Sequence, residues 1–212
     1  MELFHYAHCP FCVRVRMALG FLNKDYKSIV LDYDDEDTPI SLTGKKMLPI
    51  LKPEGHTPMN ESLDIIKYLD THDQLKIQEY LIQQESIDDL LNMIGKEVHN
   101  MAMPYWIWTP EFNETSRAYF QKKKEAKRGP FKNLIPRREE FINNLEPHLK
   151  IIESSLQPFY KSSQMTFSDI AIAAHLWGMY VVPEFQFSPK IHDYLQSIKS
   201  LTHFNYQQDF WK

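Results

Sequence analysis

Cys9 and Cys12 are the only cysteines of the chain, and they stand where a strand-like run, Glu2 to Tyr6, gives way to a helix-like one. Pro10 occupies the first helical position, which suits proline because the N–H it lacks has no partner there. Val13, Met17 and Leu19 to Leu22 then supply an apolar stripe. Tyr26 to Leu31 reads as a second strand, and the strand–helix–strand order predicts a parallel pair. Few folds begin this way with a C-x-x-C at the turn.

The turn also constrains chemistry. A sulfur at a helix N-terminus meets backbone N–H donors and the positive end of the helix dipole, which lower a thiol pKa from roughly 8.5 to about 3.5–7.5. Cys9 is the expected nucleophile. Cys12 lies on nearly the same helical face, within the roughly 4.4–6.8 Å Cα separation of a disulfide, and is placed to resolve a mixed disulfide at Cys9. Two other uses stay open: half of a zinc site with His5 or His8, or two inert buried thiols. Strand alternation turns His5 away from the thiols, which counts against zinc. Arg14 and Arg16 follow within two turns and either add positive potential or point to solvent.

Asp32 to Asp37 is acidic and leads into a short helix ending near Gly44. Leu48 to Leu51 is an apolar run split by Pro49, where a missing ladder donor is costly. A cis bond there turns the Leu48 backbone toward a ligand, and an ordinary edge-strand proline is the alternative. Thr57 to Met59 is an expected hairpin partner, and Leu63, Ile66 and Leu69 recur at helical spacing. Just before that helix, Glu61 and Ser62 put an acid beside backbone amides, an arrangement that fits a zwitterionic α-amino acid head. A plain N-cap by Asn60 or Ser62 is the simpler use.

The pattern to about Asp70 is thus βαβαββα. Beyond Thr71 the strand signals nearly stop and helical periodicity takes over, so "THDQ" is read as a connector between domains at 1–72 and 76–212. Pro104 and Pro110 predict a bend or loop over Met101 to Pro110. Thr166 and Asp169 form a capping-box pattern ahead of a core helix with Ile170, Ala173, Ala174 and Trp177. His175 in that helix is expected to pair with a backbone group. Trp106, Trp108 and Phe112 either pack between helices or line an apolar second site.

The 212 residues carry a formal charge of -4, which supplies no field for nucleic acid or an anionic membrane. The basic run Lys122 to Lys124, Lys127 and Arg128 is broken by Glu125 and reads as a solvated helix face. No signal peptide or membrane-spanning run is visible, so a reducing cytoplasm is expected, where a structural disulfide is rare.

"HCPFC", "KKMLPIL" and "NESLDIIKYLD", in that order, resemble the N-terminal domain of glutaredoxins. With a helical second part containing "RAYFQKKKEA" and "TFSDIAIAAHLW", nearly the whole chain resembles the bacterial glutaredoxin 2 family, which shares the glutathione transferase architecture. The resemblance implies an α/β plus all-α protein, a thioredoxin-like domain followed by a helical one. It implies a monomeric glutathione-dependent thiol–disulfide oxidoreductase acting on glutathione mixed disulfides and protein disulfides. Glutathione is then the reducing co-substrate, with no bound cofactor or metal. Leu48 and Pro49 would hold its cysteinyl part, Glu61 and Ser62 its γ-glutamyl part, and Lys45 or, by preference, Lys46 its glycyl carboxylate, with Pro10 and Phe11 completing the site. Phe11 departs from the commoner Pro-Tyr pair. A cysteine-type glutathione transferase and a non-catalytic binding module with the same pocket are the alternatives.

Overall fold

Strand β1 (Glu2–His5) is central because Leu3, Phe4 and His5 are all buried, as a strand covered on both faces requires. The computed structural model describes residues 1–204 and pairs β1 in parallel with β2 (Lys27–Val30), Glu2 opposite Lys27 through His5 opposite Val30. On its other edge β1 meets β3 (Ile50–Lys52) antiparallel, giving the order β2-β1-β3. The expected fourth strand is reduced to one bridge, in which the Leu51 and Met59 N–H groups each donate to the other's carbonyl at 2.9 and 2.8 Å. Pro53 and Pro58 flank that bridge and carry no N–H with which to extend it.

Helix α1 (Pro10–Phe21) crosses from β1 to β2, α2 (Asp37–Thr43) closes at a left-handed Gly44, and α3 (Ser62–Leu69) follows the β3 bridge. The helical part comprises α4 (Ile77–Ile82), α5 (Gln84–Trp106), α6 (Glu114–Arg128), α7 (Phe131–Leu134), α8 (Arg138–Ser155), α9 (Phe167–Leu176) and α10 (Pro189–Leu201). Helix α9 is buried nearly all round and lies against α1, α5 and α10. Its start matches the capping-box expectation. The Asp169 carboxylate accepts from the Thr166 N–H at 2.8 Å, and from the Tyr160 N–H and Tyr194 hydroxyl at 2.7 and 2.9 Å.

One apolar core spans both parts of the molecule, with Leu3, Val15 and Ile65 in the same cluster as Ile94, Ile170 and Leu195. The connector is tied down at both ends. Asp70 accepts the Gln74 and Leu75 N–H groups at 2.9 and 2.8 Å, and the Leu75 carbonyl accepts from the Phe167 N–H at 2.7 Å. At the far end of α1, a Cβ on Gly20 would lie 1.8 Å from the Thr202 carbonyl oxygen, so only glycine lets the end of α10 approach so closely.

The bend or loop expected over Met101 to Pro110 begins only at Ile107, because α5 runs on through Pro104 and ends at Trp106. A proline in the last turn removes a single helix hydrogen bond, and the burial of Met101, Ala102, Met103 and Trp106 outweighs that loss. Among the described residues, no helix is long and apolar enough to cross a membrane.

Candidate active site at the cysteine turn

Cys9 is the N-cap residue of α1, and its carbonyl accepts the N–H groups of Cys12 and Val13, both at 2.9 Å. No side chain caps this helix start, so the sulfur meets the backbone donors directly. Both thiols are reduced, Cys9 half-buried and Cys12 fully buried. The Cys9 pKa is lowered to about 7, chiefly by a hydrogen bond from the Cys12 thiol, with help from the Cys12 and Phe11 amides and the Arg14 charge and against the effect of burial. Burial drives the Cys12 thiol well up, and the neighbouring Cys9 adds to the rise. Its sulfur also receives the Tyr6 N–H at 3.4 Å. Near neutral pH one sulfur is therefore poised to ionise while the other holds its proton.

Arg14 does not point to solvent. Its Nε donates to the Ser62 hydroxyl at 2.8 Å, its Nη2 makes a second contact to the same oxygen, and its guanidinium lies 4.6 Å from the Phe11 ring centre. This buried arginine joins the cysteine turn to the start of α3. The plain N-cap at α3 is absent, because no side chain caps it and the Ser62 oxygen is already engaged by Arg14. Glu61 is exposed there with φ 69, a left-handed backbone that costs a glutamate on the order of 1 kcal/mol.

A cavity of about 740 Å³ opens between the turn and helices α5 and α6. Of the residues expected to form the site, Cys9, Pro10, Phe11, Lys46 and Leu48 line it, whereas Cys12, Pro49, Glu61 and Ser62 lie outside its lining. The Leu48–Pro49 bond is cis, the first of the two readings of that proline. Lys46 pairs with Glu36 at 3.0 Å, and its ammonium stands 4.2 Å from the Tyr119 ring centre. Tyr33 shares this wall with its hydroxyl pKa pushed up to about 12, first by burial and then by Cys9.

The basic run of α6 is not a solvated face throughout. Lys124, Lys127 and Arg128 line the cavity, and burial lowers the Lys124 pKa while Cys9 opposes the fall. Trp106 and Phe112 are buried among the helices and also line the cavity, as both readings of them required. Trp108 does neither: it is 69% exposed, with the Arg117 guanidinium 4.5 Å from its ring centre.

The histidines have partners elsewhere. His5 Nε2 lies 2.7 Å from the Ser28 hydroxyl, and burial, followed by Arg16, takes its pKa down to about 3. His8 stacks on Trp106 at 5.0 Å, with Nε2 2.9 Å from Thr109 Oγ1 and 2.5 Å from Glu111 Oε1. His175 Nδ1 sits 2.8 Å from the Ala171 carbonyl, the backbone pairing expected of it, and burial lowers its pKa to about 4. Sequence reasoning missed the Arg14–Ser62 link, the His8–Glu111 contact and Lys124. "RAYFQKKKEA" held the only local signal for the last of these.

The two thiols are shifted in opposite directions, and the unit that carries them is packed on a helical domain. The class so defined is a thiol–disulfide oxidoreductase on a glutathione transferase framework. Residues 3–83 match the family model described as glutathione S-transferase, N-terminal domain, and residues 86–209 match glutaredoxin 2, C-terminal domain. The chain belongs to the glutaredoxin 2 family. It is 28% identical over 210 residues to glutaredoxin 2 of Escherichia coli strain K12, covering 97% of each chain. The solved structure of glutaredoxin 2 from Salmonella typhimurium, in complex with glutathione, superposes with a TM-score of 0.84 at 28% identity, over 98% of this chain and 96% of that one. A glutathione transferase from Phanerochaete chrysosporium has a TM-score of 0.82 at 17% identity, over 96% and 97%, and shares the fold.

Proposed function

We propose that this protein reduces glutathione mixed disulfides and protein disulfides through Cys9 and Cys12, with glutathione as the reducing co-substrate. The observation that carries this reading is the split between the thiols, Cys9 near 7 and Cys12 held protonated. In the first step the Cys9 thiolate attacks the glutathione sulfur of a mixed disulfide, and the other thiol leaves with the electron pair and takes up a proton. A second glutathione thiolate then attacks the Cys9–glutathione bond, releasing glutathione disulfide and restoring the Cys9 thiolate. With a protein disulfide, Cys12 instead loses its proton and attacks the Cys9 sulfur of the mixed disulfide, releasing the substrate as a dithiol and leaving a Cys9–Cys12 disulfide, which two glutathiones reduce in turn to give glutathione disulfide.

Glutathione is held on this reading by the Leu48–Pro49 backbone at its cysteinyl part, by Glu61 and the Ser62 amide at its γ-glutamyl head, and by Lys46 at its glycyl carboxylate. Pro10 and Phe11 border the reacting sulfur. The positive φ of Glu61 supports its assignment, since strained backbone concentrates at ligand sites. The complex of the Salmonella typhimurium relative supports the choice of ligand. We further assign residues 1–72 to the thioredoxin-like domain and 76–212 to the helical one, and place the protein in the cytoplasm as a monomer.

The test is a coupled assay with glutathione, glutathione reductase and the mixed disulfide of glutathione and 2-mercaptoethanol. Turnover that disappears in Cys9→Ser is expected, and its absence in the unaltered protein contradicts the reading. One observation favours a second reading, a cysteine-type glutathione transferase: the cavity beside Cys9 is partly apolar, with Trp106 and Phe112 in its lining. Conjugation of an electrophile faster than disulfide reduction would select it.

A further inference from the structure

The cavity beside Cys9 has two unlike walls. The wall from the α/β unit, with Cys9 and Leu48, is the one on which the proposed glutathione lies. The wall from α5 and α6 carries Lys96, Lys124, Lys127 and Arg128 together with the aromatic rings of Trp106 and Phe120. Glutathione anchored at Leu48, Pro49 and Glu61 leaves this second wall for whatever is joined to its sulfur.

The charges on the second wall are unbalanced. Among the described residues, Glu111 is the only carboxylate lining the cavity, and it stands 2.5 Å from His8 Nε2. Lys96 pairs with Glu97 at 3.2 Å, but no described carboxylate lies within 4.0 Å of the Lys124, Lys127 or Arg128 nitrogens. Lys124 is partly buried, with its ammonium 5.4 and 5.6 Å from the ring centres of Phe120 and Tyr33. It has given up water with no carboxylate in exchange, and the charge that offsets its burial is that of Cys9. Arg128 is held in place, donating from Nη1 to Asn100 Oδ1 at 2.6 Å and to the Lys96 carbonyl at 3.3 Å. A held arginine and a half-buried lysine beside apolar rings, with the exposed Lys127 at the rim, describe in a volume of small-molecule size a binding site for an anion carried on an apolar body.

We infer that the α5–α6 wall binds the leaving half of the mixed disulfide and selects small aromatic or apolar thiols that bear a carboxylate or sulfonate. The inference rests on Cys9 as the nucleophile that attacks the glutathione sulfur. When that S–S bond breaks, the electron pair leaves on the second thiol, whose thiolate faces the Lys124 ammonium before taking a proton from water.

The glutathione mixed disulfides of 4-mercaptobenzoate and of 4-mercaptobenzamide differ almost only in charge, and the ratio of their kcat/KM values reads the site. At low ionic strength the benzoate is expected to be favoured at least about fivefold, with the preference shrinking as salt is added. In Lys127→Glu the ratio should fall toward one. Equal kcat/KM values for the pair in the unaltered protein, or a ratio that Lys127→Glu leaves intact, would overturn the inference. Calorimetric binding of naphthalene-1-sulfonate against its neutral sulfonamide gives a readout that needs no turnover. Tighter sulfonate binding with no disulfide turnover would preserve the site and refute the proposed reaction. Turnover without charge discrimination in either measurement would do the reverse.

Discussion

Helices α1 and α9 lie against one another, yet their N-termini are finished in opposite ways. At α9 the Asp169 carboxylate takes the Thr166 N–H and three further donors, so that end is closed by the protein itself. At α1 no side chain caps the helix, and the residue at the N-cap position is a thiol. Asp169 closes one start by taking the N-cap amide together with donors from Tyr160 and Tyr194, whereas at the other the Phe11 and Cys12 amides face the Cys9 sulfur. On the proposed function one helix end serves stability and the other reactivity, and substitutions at the two should fail in different ways.

The largest effect is expected at the closed end. Asp169→Ala strands buried donors and should cost about 3 kcal/mol or more, lowering the unfolding midpoint by about 6–12 °C for a chain of this size. Calorimetry checks the loss, and a change under about 1 kcal/mol would break the contrast. At the open end the cost should fall on reactivity. Cys12→Ala removes the leading hydrogen bond to the Cys9 thiolate, returns that thiol toward its ordinary value near 8.5, and should slow Cys9 alkylation at pH 7 by about tenfold. Arg14→Met withdraws a weaker contribution and should slow the same reaction about two- to threefold, with partial rescue in Arg14→Lys. An effect of similarly small size is expected at Phe11, which is 46% exposed with one face toward Arg14. Phe11→Leu should cost about 0.5–1 kcal/mol in a denaturant titration.

Features fixed by neighbouring residues could be read from the sequence. The Cys9-Pro10 helix start and the pairing of Thr166 with Asp169 each depend on a few adjacent residues and were expected, and the cis bond before Pro49 was one of the two readings that its place in the strand offered. Features that depend on what folds back were not legible. Whether Arg14 is buried depends on Ser62, 48 residues away, and whether Lys124 faces water depends on how α6 meets Tyr33. Pro104 misled because a proline's cost depends on its place in the helix, and the burial that holds the last turn of α5 is tertiary. Within the expected glutathione site, Leu48 and Lys46 reach the cavity, whereas Glu61 and Ser62 stand at a separate helix start that Arg14 ties to the cysteine turn.

The most direct measurement is the pH dependence of Cys9 alkylation in the unaltered protein, followed site by site by mass spectrometry. Because the folded pKa of Cys9 is depressed, the thiolate predominates above it, and the rate should fall about tenfold per pH unit well below it. An apparent pKa of about 7, with Cys12 unreactive over the same range, is the predicted result. A Cys9 value near the ordinary 8.5, or two thiols titrating alike, would contradict the division of roles between them.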